Sequence, residues 1–106
     1  MSIKNNNISI KVHSNFIRDR SFPQNSIFLF SYDVVIKNHN LFDVQLLSRY
    51  WHIQDGNGVV EEVRGPGVIG LKPVIKSDGT FKYSSFCPIK TPLGAMKGSY
   101  KMRSTK

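Results

Sequence analysis

The sequence contains a single cysteine, Cys87, in 106 residues. An internal disulfide needs two cysteines, and one thiol cannot supply a cysteine zinc site by itself. No apolar run approaches the ~18 residues of a membrane span. Residues 1–7 have neither the apolar core nor the small-residue cleavage site of a signal peptide. We therefore expect a cytoplasmic protein without a disulfide, a cysteine zinc site or a membrane span.

Acidic residues are also few, since 7 Asp plus Glu stand against 15 Lys plus Arg and give a net charge of +8. A basic surface attracts anions such as nucleotides, phosphates or acidic proteins. The alternative is that the charge only maintains solubility, because the lysines are scattered rather than grouped. The exception is the C-terminus, where several cations lie close together: Lys97, Lys101, Arg103 and Lys106. Such a terminal tail is more often disordered than a dedicated binding arm.

No segment shows sustained helical periodicity. Apolar side chains instead alternate with polar ones, and turn signals separate short segments typical of strands. The predicted strands cover residues 8–16, 27–37, 44–53, 59–64, 73–75, 80–85 and 95–102. About seven short strands predict one domain over residues 1–106, an all-β protein. The favoured architecture is an antiparallel β-sandwich of the immunoglobulin or fibronectin type III kind.

The strand pattern also predicts which side chains form the core. One face of the second strand carries Phe28, Phe30, Tyr32, Val34 and Ile36. The adjacent leucines at 46 and 47 indicate a bulge or burial on both faces. The tryptophan at 51 is a natural anchor between the sheets. Residues 65–70 are predicted to be a loop, and residues 86–94 a long irregular connection.

Several segments, in the same order along the chain, resemble the ApaG family. They are VQLLSRYW at 44–51, EEVRGPGVIG at 61–70, FKYSSFCPI at 81–89, TP at 91–92 and MKGSY at 96–100. The resemblance covers roughly residues 8–102 and implies a fibronectin-like β-sandwich. Members usually have His where this chain has Tyr50. ApaG proteins continue into a further strand with a Pro-Ala-Phe element, whereas this sequence ends at residues 103–106. The expected sandwich therefore either has or lacks its final strand, and a missing strand leaves an unpaired sheet edge.

The resemblance also implies a functional setting. The bacterial proteins carry a name associated with cobalt and magnesium efflux or tolerance. Eukaryotic relatives place the domain in F-box proteins and in a protein that interacts with a DNA polymerase. These settings favour protein–protein binding, and the family has no settled catalytic role.

Residues 65–70 formally fit the pattern G-x-G-x-x-G. A dinucleotide site of this kind needs a following helix, which residues 71–73 do not open, and Pro66 removes one backbone donor. A helix-free anion site remains open, and its candidate residues are Arg64, Gly65, Gly67, Gly70 and Lys72. The favoured alternative is that the glycines provide positive-φ turns between strands.

No catalytic or metal-binding constellation is predicted. The histidines at 13, 39 and 52 are dispersed. Cys87 has no neighbouring histidine or carboxylate, so packing is its favoured role. Glu61 and Glu62 face opposite ways on a strand and do not converge. A structural role is also favoured for Arg49.

These observations predict a non-enzymatic binding module without a cofactor, acting through protein recognition by a sheet face or edge. The alternative is a phosphate-, pyrophosphate- or nucleotide-binding protein that uses the glycine loop. Nucleic acid is disfavoured because most aromatic rings occupy predicted core positions. The expected assembly is a monomer or an edge-paired dimer, and the partner's identity does not follow from the sequence.

Overall fold

The computed structural model describes residues 7–105. In this range the segments with alternating apolar residues form seven strands, and there is no α-helix. The strands are β1 (Ile8–Phe16), β2 (Phe28–Asn38), β3 (Val44–Asp55), β4 (Val60–Pro66), β5 (Val74–Ile75), β6 (Thr80–Ile89) and β7 (Gly94–Ser104). Two short 3-10 helices, Arg18–Arg20 and Pro23–Asn25, connect β1 to β2.

The strands form two antiparallel sheets. The first sheet has the order β1-β2-β6. In the second sheet β3 is central, with β4 and the short β5 along one side and β7 along the other. The predicted all-β antiparallel sandwich is confirmed. Within residues 7–105, β7 pairs with β3 alone.

The core lies between β2 and β3. Tyr32, Val34 and Ile36 of β2 are buried against Trp51 and other side chains of β3. The Trp51 ring meets the Tyr32 ring edge-on, with 5.6 Å between centroids. The predicted inward face of the second strand and the tryptophan anchor are therefore both confirmed, because they follow from strand alternation.

A β-bulge at Leu47 decides which side chains of β3 enter the core. The pairing of β3 with β7 shifts register between Leu46 and Ser48. An extra residue in a strand reverses the alternation of the side chains that follow it. Leu46 is therefore buried before the bulge, and Trp51 and Ile53 are buried after it. The adjacent leucines predict this bulge correctly.

Several strand bounds differ from the sequence prediction, and two of them, the ends of β4 and β6, fall in segments predicted to be irregular. Gly65 and Pro66 belong to β4 rather than to the loop that follows. Residues 86–89 continue β6, so the predicted long connection shrinks to residues 90–93. Proline is tolerated on an edge strand, where its missing N–H breaks no ladder. Pro88 lies on β6, which is such an edge within residues 7–105, and pairs in register with Leu29.

The buried Asn38 ties the end of β2 to β5. Its Nδ2 donates to the carbonyls of Phe42 at 2.8 Å and of Ile75 at 3.0 Å, and its Oδ1 accepts from the Asn40 N–H at 2.9 Å. A buried amide is stable only when it is hydrogen-bonded in this way. The contact fixes the loop between β2 and β3, and therefore the start of the central strand.

Candidate functional site: the glycine loop and the cleft beside it

The glycine loop is a tight turn closed by its own backbone. Val68 N–H donates to the Leu71 carbonyl at 2.8 Å, and Leu71 N–H donates back at 2.8 Å. The central residues Ile69 and Gly70 have φ of 43° and 78°. Positive φ at both central residues is typical of a type I′ turn. Residues 65–70 therefore join a strand to a hairpin turn, and no helix follows them.

Steric constraints require glycine at position 67. It is buried, its φ is 59°, and its N–H donates to the Leu47 carbonyl at 2.8 Å. A Cβ atom here would lie 2.0 Å from the Leu71 carbonyl oxygen. Glycine is therefore required at this position by the fold, as the positive-φ interpretation predicts.

Arg49 is the cation that contacts the loop. Its Nη1 donates to the Gly67 carbonyl at 2.9 Å and to the Pro66 carbonyl at 3.2 Å. The guanidinium lies over Gly65, where an added Cβ would be only 3.0 Å from Nη1. The favoured structural role of this arginine matches the geometry, since it fastens the loop to β3.

Arg64 instead lies on the outer face of the second sheet. Its Cζ is 4.4 Å from the centre of the Tyr50 ring, and its Nη2 is 3.6 Å from Glu62 Oε2. The Tyr50 hydroxyl donates to the same carboxylate at 2.5 Å, and this hydrogen bond lowers the pKa of Glu62. Glu61 faces the other side of β4, opposite Ile53, so the two carboxylates do not converge.

The other candidate anion-binding residues lie around the turn. Lys72 is exposed, and its stem lies beside Gly67, since an added Cβ there would be 3.2 Å from its Cγ. Within residues 7–105, the N–H groups of Ile69 and Gly70 make no hydrogen bond. The turn therefore leaves these two donors unbonded, and the exposed Lys72 follows it in the chain, while Arg64 is engaged on the outer face. The anion site stays a prediction.

A cleft of about 340 Å³ opens beside the loop, between β4 and β6. We call it the glycine-loop cleft, and its lining includes Arg49, Trp51, Glu61, Val68, Tyr83 and Cys87. Burial raises the pKa of the Cys87 thiol, and the charge of Glu61 raises it further. A neutral thiol is a poor nucleophile, which agrees with the packing role expected for this cysteine.

A pair of tyrosine hydroxyls lies behind the cleft. The Tyr83 and Tyr100 hydroxyls are 2.5 Å apart. Burial raises the pKa of both phenols, and for Tyr100 the hydrogen bond with Tyr83 adds to the rise. This contact joins β6 of one sheet to β7 of the other, and the sequence pattern does not reveal it.

A second opening, of about 250 Å³, lies between β1 and β7. It shares four lining residues with the glycine-loop cleft: Tyr32, Ile53, Cys87 and Met96. We call it the β1–β7 groove, and its lining includes Val12, Ser14, Phe30, Ile53, Ile89 and Met96. Its walls are mostly apolar. The two openings therefore differ in chemistry, because charged side chains line only the glycine-loop cleft.

Residues 7–105 hold no group of three or more His, Cys, Asp or Glu side chains able to bind a metal ion. The same part of the chain contains no helix long and apolar enough to cross a bilayer.

Comparison with known proteins identifies the family. The ApaG domain, DUF525, matches residues 18–104. The chain belongs to the ApaG family. Protein ApaG of Mesorhizobium japonicum is 46% identical over 100 residues, which is 94% of this chain and 77% of that protein. Protein ApaG of Methylobacterium radiotolerans is 47% identical over 95 residues, which is 90% of this chain and 73% of that protein.

A solved structure shares the fold. The crystal structure of the ApaA protein from Bordetella pertussis has a TM-score of 0.90 and 37% sequence identity. The match covers 92% of this chain and 80% of that chain. The resemblance stated from the sequence motifs is therefore confirmed, and with it the ApaG-like sandwich.

Replacing Ile69 tests the strain in the turn. Left-handed backbone costs an L-residue roughly 1–2 kcal/mol, and asparagine visits it more readily. Because the Ile69 side chain is 58% exposed, its removal loses little packing. We expect Ile69→Asn to raise the free energy of unfolding by about 1 kcal/mol, measured by urea denaturation. Ile69→Val, which keeps the β-branch, should leave stability nearly unchanged; a destabilised Ile69→Asn protein would contradict the turn assignment.

Replacing Tyr100 tests the buried hydroxyl pair. At neutral pH, Tyr100→Phe should cost about 1 kcal/mol, because one hydrogen bond is lost. The folded state raises the phenol pKa, so the stability it confers is present below pH ~10, the unfolded value, and is lost as pH rises further. Stability of the variant should therefore fall less steeply above pH ~10 than that of the wild type. Urea unfolding, followed by Trp51 fluorescence at pH 7 and at alkaline pH, measures both effects. If the stabilities of the variant and the wild type fell equally steeply above pH ~10, the phenol of Tyr100 would not contribute to the pH dependence.

Proposed function

We propose that this ApaG-family protein is a non-enzymatic binding module that recognises another protein through the open side of its sandwich. The supporting observation is a set of large apolar side chains on the inner face of β1 that stay nearly half exposed, of which Val12 lines the β1–β7 groove. Ile10, Val12 and Phe16 are 44%, 46% and 46% exposed. Exposed apolar side chains grouped on one strand face are typical of interaction sites.

The chemistry of the glycine-loop cleft also favours binding over catalysis. Its thiol is held neutral by burial, and its arginine is engaged with loop carbonyls. A general acid–base mechanism needs groups positioned within hydrogen-bond reach of one reacting atom. Glu61 and Glu62 face opposite sides of β4 and do not provide such a pair. Any role in cobalt or magnesium tolerance would then be indirect, through the bound partner.

Co-purification tests this function. A tagged wild-type protein should enrich one or more proteins, identified by quantitative mass spectrometry. Val12→Lys places a charge in the β1–β7 groove and should reduce that enrichment at least tenfold. Val59→Lys is the matched control, because Val59 is also exposed but lies outside the groove. Each enriched partner is then purified, and its binding to the wild-type, Val12→Lys and Val59→Lys proteins is measured. Enrichment that survives Val12→Lys, or no enrichment at all, would contradict the proposal.

A second candidate function is binding of a phosphate-containing ligand at the glycine loop. It is favoured by the unbonded N–H groups of Ile69 and Gly70 and by the exposed Lys72 two residues further along the chain. Adjacent backbone donors with a nearby cation attract anions. This ligand would regulate the binding module rather than be turned over.

Pyrophosphate titration followed by amide NMR tests this second candidate. We expect saturable shifts confined to residues 65–72, with affinity at least fivefold weaker in Lys72→Ala. Lys82→Ala is the control, since Lys82 is exposed on β6 away from the loop. Small shifts spread evenly over the basic surface would indicate unspecific screening and remove the site. Gly67 variants are unsuitable, because the fold itself requires that glycine.

A further inference from the structure

We propose that a shallow opening on the outer face of the second sheet binds the phosphoryl group of a phosphate monoester. The opening has a volume of about 300 Å³, and its lining includes Ser48, Tyr50, Arg64, Ser99 and Lys101. We call it the outer-face site. The inference is independent of the proposed protein recognition, and it uses none of the donors of the glycine-loop turn. The register, the unpaired donors and the charge of this face support it.

The register of the second sheet brings the side chains of the outer-face site together. Ser48 of β3 pairs with Lys101 of β7. Tyr50 of β3 pairs with Ser99 of β7 on one side and with Arg64 of β4 on the other. Directly opposite residues of paired strands share one face of the sheet, and diagonal neighbours lie about 7–8 Å apart. Ser48 is therefore opposite one cation and diagonal to a second, Arg64.

Several donors of the outer-face site have no partner within the protein. Among residues 7–105, the hydroxyls of Ser48 and Ser99 make no hydrogen bond, and the Lys101 ammonium makes no ion pair. A hydroxyl donates one hydrogen bond and an ammonium group donates three. Phosphate oxygens accept such bonds, and they accept the charge-assisted ones most strongly. The site therefore presents donors from both β3 and β7 to a phosphoryl group.

Neighbouring side chains hold Arg64 at the rim of the outer-face site. Its Cζ lies 4.4 Å from the centre of the Tyr50 ring, which restricts the side chain. Its Nη2 lies 3.6 Å from Glu62 Oε2, which is beyond hydrogen-bond distance, so its N–H groups stay available to a ligand. An arginine that is ordered before the ligand arrives loses less conformational entropy when it binds.

The charge of the outer face also favours an anion. Lys97 and Arg103 lie in the same outward row of β7 as Lys101. Within residues 7–105, the one carboxylate on the outward rows of β3, β4 and β7 belongs to Glu62, and it already accepts a hydrogen bond from Tyr50 at 2.5 Å. A surface with an excess of cations attracts anions. A strand added beside β7 would extend this face rather than cover it, because neighbouring strands lie side by side in one sheet.

Titrations of the intact chain followed by amide NMR test the proposal. Nucleotides, sugar phosphates and phosphorylated serine all carry a phosphate monoester, so the probes are adenosine monophosphate, glucose 6-phosphate and blocked phosphoserine. We expect saturable shifts at residues 48–50, 64–65 and 99–101. Adenosine, glucose and blocked serine should cause no saturable shift, and salt should weaken the binding of each phosphorylated probe. The probe with the lowest Kd shows which source of the phosphoryl group the site prefers.

Variants test the donors one at a time. Lys101→Gln should weaken binding by about fivefold, because an exposed charged contact is lost. Lys97→Gln is the matched control: it removes the same charge from the same row of β7 but lies outside the site, and it should weaken binding by less than about twofold. Glu62→Gln should strengthen binding by about twofold, because it removes the carboxylate that competes for Arg64. A dispersed amide spectrum verifies the fold of each variant.

Three results would overturn the proposal. The first is that no phosphorylated probe binds saturably, or that the probes without phosphate bind equally well. The second is a set of shifts confined to residues 67–72, which would place the phosphate at the glycine loop instead. The third is equal weakening by Lys97→Gln and Lys101→Gln, which would indicate unspecific screening of the basic surface. None of these results concerns Val12, so the co-purification test of the proposed function is decided separately.

Discussion

The bulge at Leu47 is the constraint on which the arrangement depends. Before it, β3 buries its even-numbered residues; after it, β3 buries its odd-numbered ones. A regular strand with Leu46 in the core would turn Trp51 outward, because side chains alternate strictly. The bulge therefore places both side chains between the sheets. It also directs Arg49 inward toward the loop carbonyls and leaves Tyr50 on the outer face.

The β4–β6 side and the β1–β7 side of the sandwich are closed by neighbouring elements to different degrees. On the β4–β6 side, the loop is held by Arg49, by the steric requirement at Gly67 and by its own reciprocal backbone hydrogen bonds. The tyrosine hydroxyl pair closes the interior behind it. On the β1–β7 side, Ile10 and Val12 of β1 stay nearly half exposed, and within residues 7–105 β7 has a partner strand only on its β3 side. The proposed protein recognition therefore rests on the β1–β7 side.

Much of the fold could be predicted from the sequence, because the alternation of side chains along a strand and the residue preferences of turns depend only on neighbouring residues. The inward row of β2, the Trp51 anchor and the bulge follow from such patterns, and the family follows from ordered motifs. The contact of Arg49 with the loop carbonyls is not local, since it joins residues 17 and 18 positions apart. The Tyr83–Tyr100 pair likewise depends on how the sheets face each other. Only the register shows that the alternating apolar residues of β1 face inward yet stay partly exposed.

The central claim is that, within residues 7–105, β7 pairs with β3 alone and the inner face of β1 is only partly covered. Residue-resolved hydrogen–deuterium exchange of the monomer tests it most directly. The account predicts slow exchange throughout the centre of β2 and β3. Along residues 95–103 it predicts alternation, with amides bonded to β3 protected and those on the outer side exchanging rapidly. Uniform protection along β7 in a verified monomer would show that the edge is already covered and would contradict the account.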